Sequence, residues 1–184
     1  MNRPVRKAIR LEGYDYSRNG AYFVTVCTKN KMCIFWDKND KYRPLPDKTD
    51  LQDKSVGTAI GRPDCNTGKI HLSEYGRYVR QGLMNIHEHY PMVYVDKYVI
   101  MPNHIHMILR IDVLSDFDGR PMAVPTISQA INQFKGWVSK RSGFHVWQGR
   151  FHDRILRNER EYTGAWQYIE NNPINWQNDK YYVE

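Results

Sequence analysis

The spacing of apolar positions changes several times along the chain, and each change marks an element. Ala21 to Thr28 (Ala-Tyr-Phe-Val-Thr-Val-Cys-Thr) is β-branched and aromatic and predicts a first core strand. From about Asp37 to Lys69 the pattern dissolves among Pro44, Pro46, Gly57, Gly61, Pro63 and Gly68. An irregular insertion of about 37–69 is expected there, too long for a simple connection. From Ser73 to about His89, Tyr75, Val79, Leu83 and Ile86 recur at helical spacing, and Pro91 closes the helix. Val93 to Val95 and Lys97 to Ile100 are extended, and a second alternating run follows, with the pair meeting near Asp96 or Pro102. Residues 112–125 read as a second loop. Thr126 and Gln129 form a capping box for a helix whose stripe is Ile127, Ile131, Phe134 and Val138, with Gly143 as its stop. Phe144 to Ile155 is aromatic and β-like. The last helix opens at Asn158, with Glu161 three positions on, buries Tyr162, Trp166 and Ile169, and ends before Pro173.

The order β-α-β-β-α-β-α predicts an α+β fold of ferredoxin-like or RRM-like type. Two helices cover one face of an antiparallel sheet, and the C-terminal helix is free to cross the other. At 184 residues, one domain over 1–184 is expected, with insertions at about 37–69 and 112–125.

The run Met101 to Arg110 (Met-Pro-Asn-His-Ile-His-Met-Ile-Leu-Arg) carries the chemistry. In a strand, residues two apart share a face, so His104 and His106 sit side by side and can grip one metal ion. Ile105, Met107, Leu109 and Ile111 alternate onto the opposite, core-forming face. On the last helix Tyr168 and Asn172 are four apart and share a face distinct from the apolar stripe. Gly164 lies one turn earlier on that side and would let the helix approach the sheet closely. Two neutral imidazoles and a carboxamide oxygen leave a divalent ion its charge and open positions, suited to polarising a phosphate oxygen. A tyrosine hydroxyl beside it can attack phosphorus, given help with a pKa near 10.

Composition sharpens the partner. The aromatic fraction is 13% and the hydrophobic fraction 41%, which excludes a disordered chain. Lys and Arg number 27 against 20 Asp and Glu, a formal charge of +7 that suits a polyanion. Arg110 shares the histidine face; Lys135, Lys140 and Arg141 on the second helix are further candidates for phosphate contact, and Arg3, Arg6 and Lys7 in the basic start read about equally as a disordered arm or as an arm that grips the polyanion. Cys27, Cys33 and Cys65 show no metal spacing and read as reduced thiols, which points to the cytoplasm. No run reads as a membrane span or a signal peptide.

In Tyr22 to Thr28, Tyr98 to His106, Phe151 to Arg157 and Tyr168-Ile169-Glu170-Asn171-Asn172-Pro173 followed by Trp176, the chain resembles the REP-associated tyrosine transposases, a bacterial branch of the single-tyrosine HUH (His-hydrophobic-His) enzymes. These blocks stand in the family's order. The resemblance implies that Tyr168 attacks a single-stranded DNA phosphodiester beside a hairpin, leaving a 5′-phosphotyrosine link and a free 3′-hydroxyl. It implies that His104, His106 and Asn172 hold Mg²⁺ or Mn²⁺, and it leaves both a monomer and a homodimer open. An inactive or domesticated member that only binds hairpin DNA or RNA is the alternative, and a water-activating metal hydrolase a third reading.

Competing positions are weighed alongside. His87 and His89 on a helix point apart and read as surface residues. Tyr162, Tyr181 and Tyr182 are rival nucleophiles, the first on the apolar stripe and the last two as tail packing. Asp153 reads as support for the fold or as an orienter of a histidine.

Overall fold

A computed structural model describes residues 18–37, 71–113 and 124–183. The predicted insertion at about 37–69, most of the loop at 112–125, and Arg3, Arg6 and Lys7 lie outside the described residues. The elements are β1 (Gly20–Cys27), α1 (Glu74–His89), β2 (Val93–Ile100), β3 (His104–Ile111), α2 (Ile127–Ser142), β4 (His152–Leu156) and α3 (Glu159–Asn171), with short 3₁₀ turns at Lys29–Lys31 and Trp176–Asn178. The sheet is antiparallel in the order β2-β3-β1-β4, the predicted α+β fold.

Local chemistry sets the helix ends. The Ser73 hydroxyl accepts from Gly76 N–H at the start of α1. Thr126 and Gln129 close a reciprocal capping box on α2, and Gly143 ends it at φ 75°, a left-handed conformation that costs glycine little. The Asn158 side chain caps α3 by accepting from Glu161 N–H.

Strand alternation divides the sheet into two faces. Tyr22, Val24 and Val26 of β1 and Ile105, Met107, Leu109 and Ile111 of β3 form the main core with Val79, Leu83 and Ile86 of α1 and Ile131, Phe134 and Val138 of α2. On the other face, Val99, Ile108 and Leu156 meet Ala165 and Ile169 of α3. The two imidazoles of β3 therefore look toward α3.

Two expectations are corrected, and one pair of alternatives is decided. The β-like stretch from Phe144 narrows to a strand at His152–Leu156; before it, Val146 and Trp147 are buried as irregular chain, held by Lys29 N–H to Val146 O and Gln148 N–H to Cys27 O. Of the two expected meeting points of the strand pair, the turn falls at Pro102-Asn103, and Asp96 is a bulge within one continuous β2. Gly164 makes no close approach: a Cβ there would meet nothing within 4 Å, because α3 rests on the sheet through Ala165 and Ile169 and turns Gly164 outward.

Candidate metal and tyrosine site

His104 and His106 are fully enclosed, at 0% and 1% exposure. Their Nε2 atoms face each other at 3.0 Å. Each ring is oriented through its other nitrogen, the usual arrangement at metal-binding histidines. His104 Nδ1 lies 2.9 Å from Asn103 Oδ1. The Asn103 Nδ2 donates to the carbonyls of Tyr181 and Lys31, so Oδ1 is the acceptor and His104 Nδ1 carries the proton. The lone pair of His104 Nε2 thus points at His106. His106 Nδ1 lies 2.8 Å from the Thr25 hydroxyl, which can donate or accept. Two bare nitrogens at this distance repel. The pair is satisfied by a proton on His106 Nε2 with Thr25 donating to Nδ1, or by a cation between the rings with His106 Nδ1–H donating to Thr25.

Electrostatics keep the imidazoles neutral. Burial pushes His104 down to about 4, with Lys180 adding to it and Asp179 opposing. Burial, then His104 and Lys180, push His106 well below its ordinary value. Neutral imidazole is the form that ligates metal.

The turn after α3 completes the centre with a residue that the sequence pattern did not single out. Ligand atoms of His104, His106 and Asp179 all lie within 4.8 Å of one another and can hold one metal ion. Asp179 follows Pro173 in a segment without periodicity, so only its charge marked it. Asn172 is buried, its Nδ2 donates to Asp179 Oδ2 at 3.4 Å, and its Oδ1 has no hydrogen-bond partner. A buried carboxamide oxygen left unsatisfied costs roughly 1–3 kcal/mol, and a cation is a partner that would remove that cost. The donor set of two imidazoles, a carboxylate and an orphaned amide oxygen fits a divalent ion.

Tyr168 stands at the edge of this centre, its side 44% exposed, its ring 5.2 Å from that of His106 and 5.8 Å from that of Phe23. Burial and then Asp179 raise its pKa, while a hydrogen bond with Asn172 and the charge of Lys180 work against the rise. Tyr181, expected as tail packing, lies directly on the histidines, 4.6 Å from His104 and 6.1 Å from His106 between ring centroids. Burial, then Cys27, push its phenol up, which disfavours it as a nucleophile. Tyr182 packs on Trp176, and the Tyr162 hydroxyl donates to Asp96.

The remaining candidates fall elsewhere. Arg110 is on the α3 face but is held by Asp96 and Asp112 and stacks on Tyr94. Lys135 is buried, and its ammonium donates to the carbonyls of Gln148 and Gly149, so its role is internal rather than phosphate contact. Lys140 and Arg141 end α2, which packs on the sheet face opposite the histidines. Asp153 is paired across from Val24 on that opposite face, so Asn103 and Thr25 orient the imidazoles instead. His87 packs against Tyr94 at the end of α1, away from the pair. No helix among the described residues is long and apolar enough to cross a membrane.

The fold and site together are a four-stranded antiparallel sheet whose paired histidines face a helix-borne tyrosine. No family model matches the chain. An uncharacterized protein of Haemophilus influenzae is 33% identical over 97% of this chain and 94% of its own length. A second Haemophilus influenzae protein, provisionally named a REP-associated tyrosine transposase, is 25% identical over 58% of this chain and 63% of its own. The solved structure of a REP-associated tyrosine transposase bound to a REP hairpin superposes with a TM-score of 0.54 at 18% identity, covering 90% of this chain and 74% of that one. The chain belongs to the family of the first Haemophilus influenzae protein, and its fold is that of the REP-associated tyrosine transposases.

Proposed function

We propose that this chain is a metal-dependent enzyme that nicks single-stranded DNA beside hairpins and transfers the strand through Tyr168. The observation that carries the reading is the meeting of three groups: a neutral imidazole pair, the orphaned Oδ1 of Asn172, and the half-exposed Tyr168 ring beside His106. The same tyrosine type is named in a sequence relative and in the structural neighbour, whose bound partner is a REP hairpin.

His104, His106 and Asn172, joined by Asp179, would hold Mg²⁺ or Mn²⁺, which when bound supplies a Lewis acid for a non-bridging phosphate oxygen. Tyr168 Oη forms a bond to phosphorus as the bond to the 3′-oxygen breaks. The phenol loses its proton and the departing 3′-oxygen gains one. One phosphodiester replaces another, so no nucleotide cofactor is needed, and attack by a 3′-hydroxyl on the tyrosyl ester rejoins DNA. The surroundings raise the Tyr168 phenol, so the hydrogen bond from Asn172 and the charge of Lys180 are the groups in the chain that favour the attacking phenolate.

The test is a hairpin oligonucleotide with single-stranded flanks, incubated with the protein and Mg²⁺ or Mn²⁺ and run on a denaturing gel. A covalent protein–DNA adduct that disappears in Tyr168→Phe supports the reading. Cleavage that persists in Tyr168→Phe overturns it in favour of a water-activating hydrolase. Binding with no cleavage in the wild type overturns it in favour of a hairpin-binding protein.

A further inference from the structure

Beside the histidine centre, α3 and the turn after it enclose an open cleft of ≈ 450 Å³ with Tyr168 in its wall. The size falls in the range of pockets that take a small organic ligand. Its chemistry is distinctive. Gln167, Asn171 and Asn175 line it at four-residue spacing along α3 and its continuation, Asn178 joins from the 3₁₀ turn, and Lys180 adds a cation. Among the described residues, the side-chain amides of Gln167, Asn171 and Asn178 have no hydrogen-bond partner, whereas the Asn175 amide donates to the Asn171 carbonyl. Gly164 lines the same cleft. A glycine inside a helix costs about 1 kcal/mol relative to alanine, and here no packing demands it, since a Cβ would meet nothing within 4 Å. The space it leaves belongs to the cleft.

A carboxamide presents a donor and an acceptor in one plane, the pattern that pairs with the edge of a nucleobase and distinguishes one base from another. Clusters of lysine or arginine would suit phosphate alone. We infer that this cleft is a base-reading subsite that receives one unpaired nucleobase next to the scissile phosphate, with Gln167, Asn171 and Asn178 reading its edge. The inference rests on the proposed role of Tyr168 only for where the base lies along the strand. Lys180 serves the adjoining phosphate, and Gly164 keeps the floor open.

The probe is a library of DNA hairpins with randomised single-stranded flanks, bound by the Tyr168→Phe chain and sequenced in the bound fraction. A preference of about tenfold at one flanking position, the scale of one good carboxamide–base pair, is expected. It flattens when Gln167→Ala and Asn171→Ala are added, while the pattern at other positions persists. Gly164→Leu, which fills open space, is expected to abolish the same preference, with thermal unfolding checked for each variant. Should Gly164→Leu fail to fold, the exposed Gln167 and Asn171 variants decide alone. No flank preference, or a preference unchanged in the variants, overturns the subsite. A tyrosine adduct in wild type together with an unchanged preference sinks the subsite alone. A variant-sensitive preference with no adduct sinks the nucleophile and leaves the cleft as a nucleotide site.

Discussion

Thr25 and Asn103 show how much of the site depends on single hydrogen bonds to the far side of each imidazole. Removing such an orienter at a metal centre typically costs about 10–100-fold in metal affinity. Thr25→Val keeps the strand's shape and deletes the hydroxyl, so it should weaken Mn²⁺ binding by about that factor, read by isothermal titration, while the chain stays folded. The ion should also protect the fold: at about 100 times its dissociation constant a ligand adds roughly 2.7 kcal/mol. A Mn²⁺-dependent rise in thermal midpoint is therefore expected in wild type and lost in His106→Ala; an equal rise in His106→Ala would place the ion elsewhere. The histidines themselves were legible because a period of two puts them on one face of a strand. Their orienters were not, because Thr25 meets His106 only through the β1–β3 register, across 81 positions of chain. Asp179 was hidden for a related reason: it reaches the centre through an irregular turn that no periodicity foretells.

Helices were the most legible elements, since Ser73, Thr126 and Asn158 each cap a helix at the predicted start. Glycines within them were less so, because what surrounds a missing Cβ is a tertiary fact. Gly76 has the Phe35 carbonyl where its Cβ would stand, at 2.2 Å, and that carbonyl also accepts from Ser73 N–H. Gly76→Ala must push backbone aside and should destabilise by about 1–3 kcal/mol or more. Gly136, in α2, has nothing within 4 Å, so Gly136→Ala should stabilise by about 0.5–1 kcal/mol through helix propensity. Urea denaturation of both variants checks the pair. The docking of α3 has a pH signature as well. Tyr162 donates to Asp96 Oδ2 at 3.0 Å, and burial followed by Asp96 pushes its phenol up to about 12. An unfolded tyrosine ionises near 10, so between about 10 and 12 the unfolded state holds fewer protons and stability falls as pH rises. The contribution is fully present below pH 10 and lost through about 12. Tyr162→Phe should flatten that part of the alkaline decline, measured by urea denaturation from pH 9 upward; an unchanged slope would show that the Tyr162–Asp96 bond does not matter to it.

At the level of the whole molecule, the β-α-β-β-α-β order was enough to place α1 and α2 on one face, because β-strand crossovers in one sheet run right-handed almost without exception. What that order does not reveal is the charge distribution over the layers. Lys135 is turned inward, Arg110 is engaged by two carboxylates, and Lys140 and Arg141 lie on the layer remote from the histidines. If the chain binds DNA as proposed, other cations must meet the backbone; besides Lys180 in the cleft, Arg3, Arg6 and Lys7 are the remaining candidates from the sequence. Each phosphate neutralised on single-stranded DNA adds about 0.7 to the slope of log affinity against log salt, and on duplex about 0.9. If these three side chains grip the DNA, replacing all of them with Gln should lower the slope by roughly 2–3 and weaken binding at low salt far more than at high salt. Fluorescence anisotropy on a labelled hairpin across a salt series reads this directly. The same replacements at Lys140 and Arg141 should leave the slope nearly unchanged, because their layer faces away from the site. A slope that responds to Lys140 and Arg141 and not to Arg3, Arg6 and Lys7 would mean that DNA wraps the helical face, and the path from hairpin to Tyr168 would have to be redrawn around the edge of the sheet.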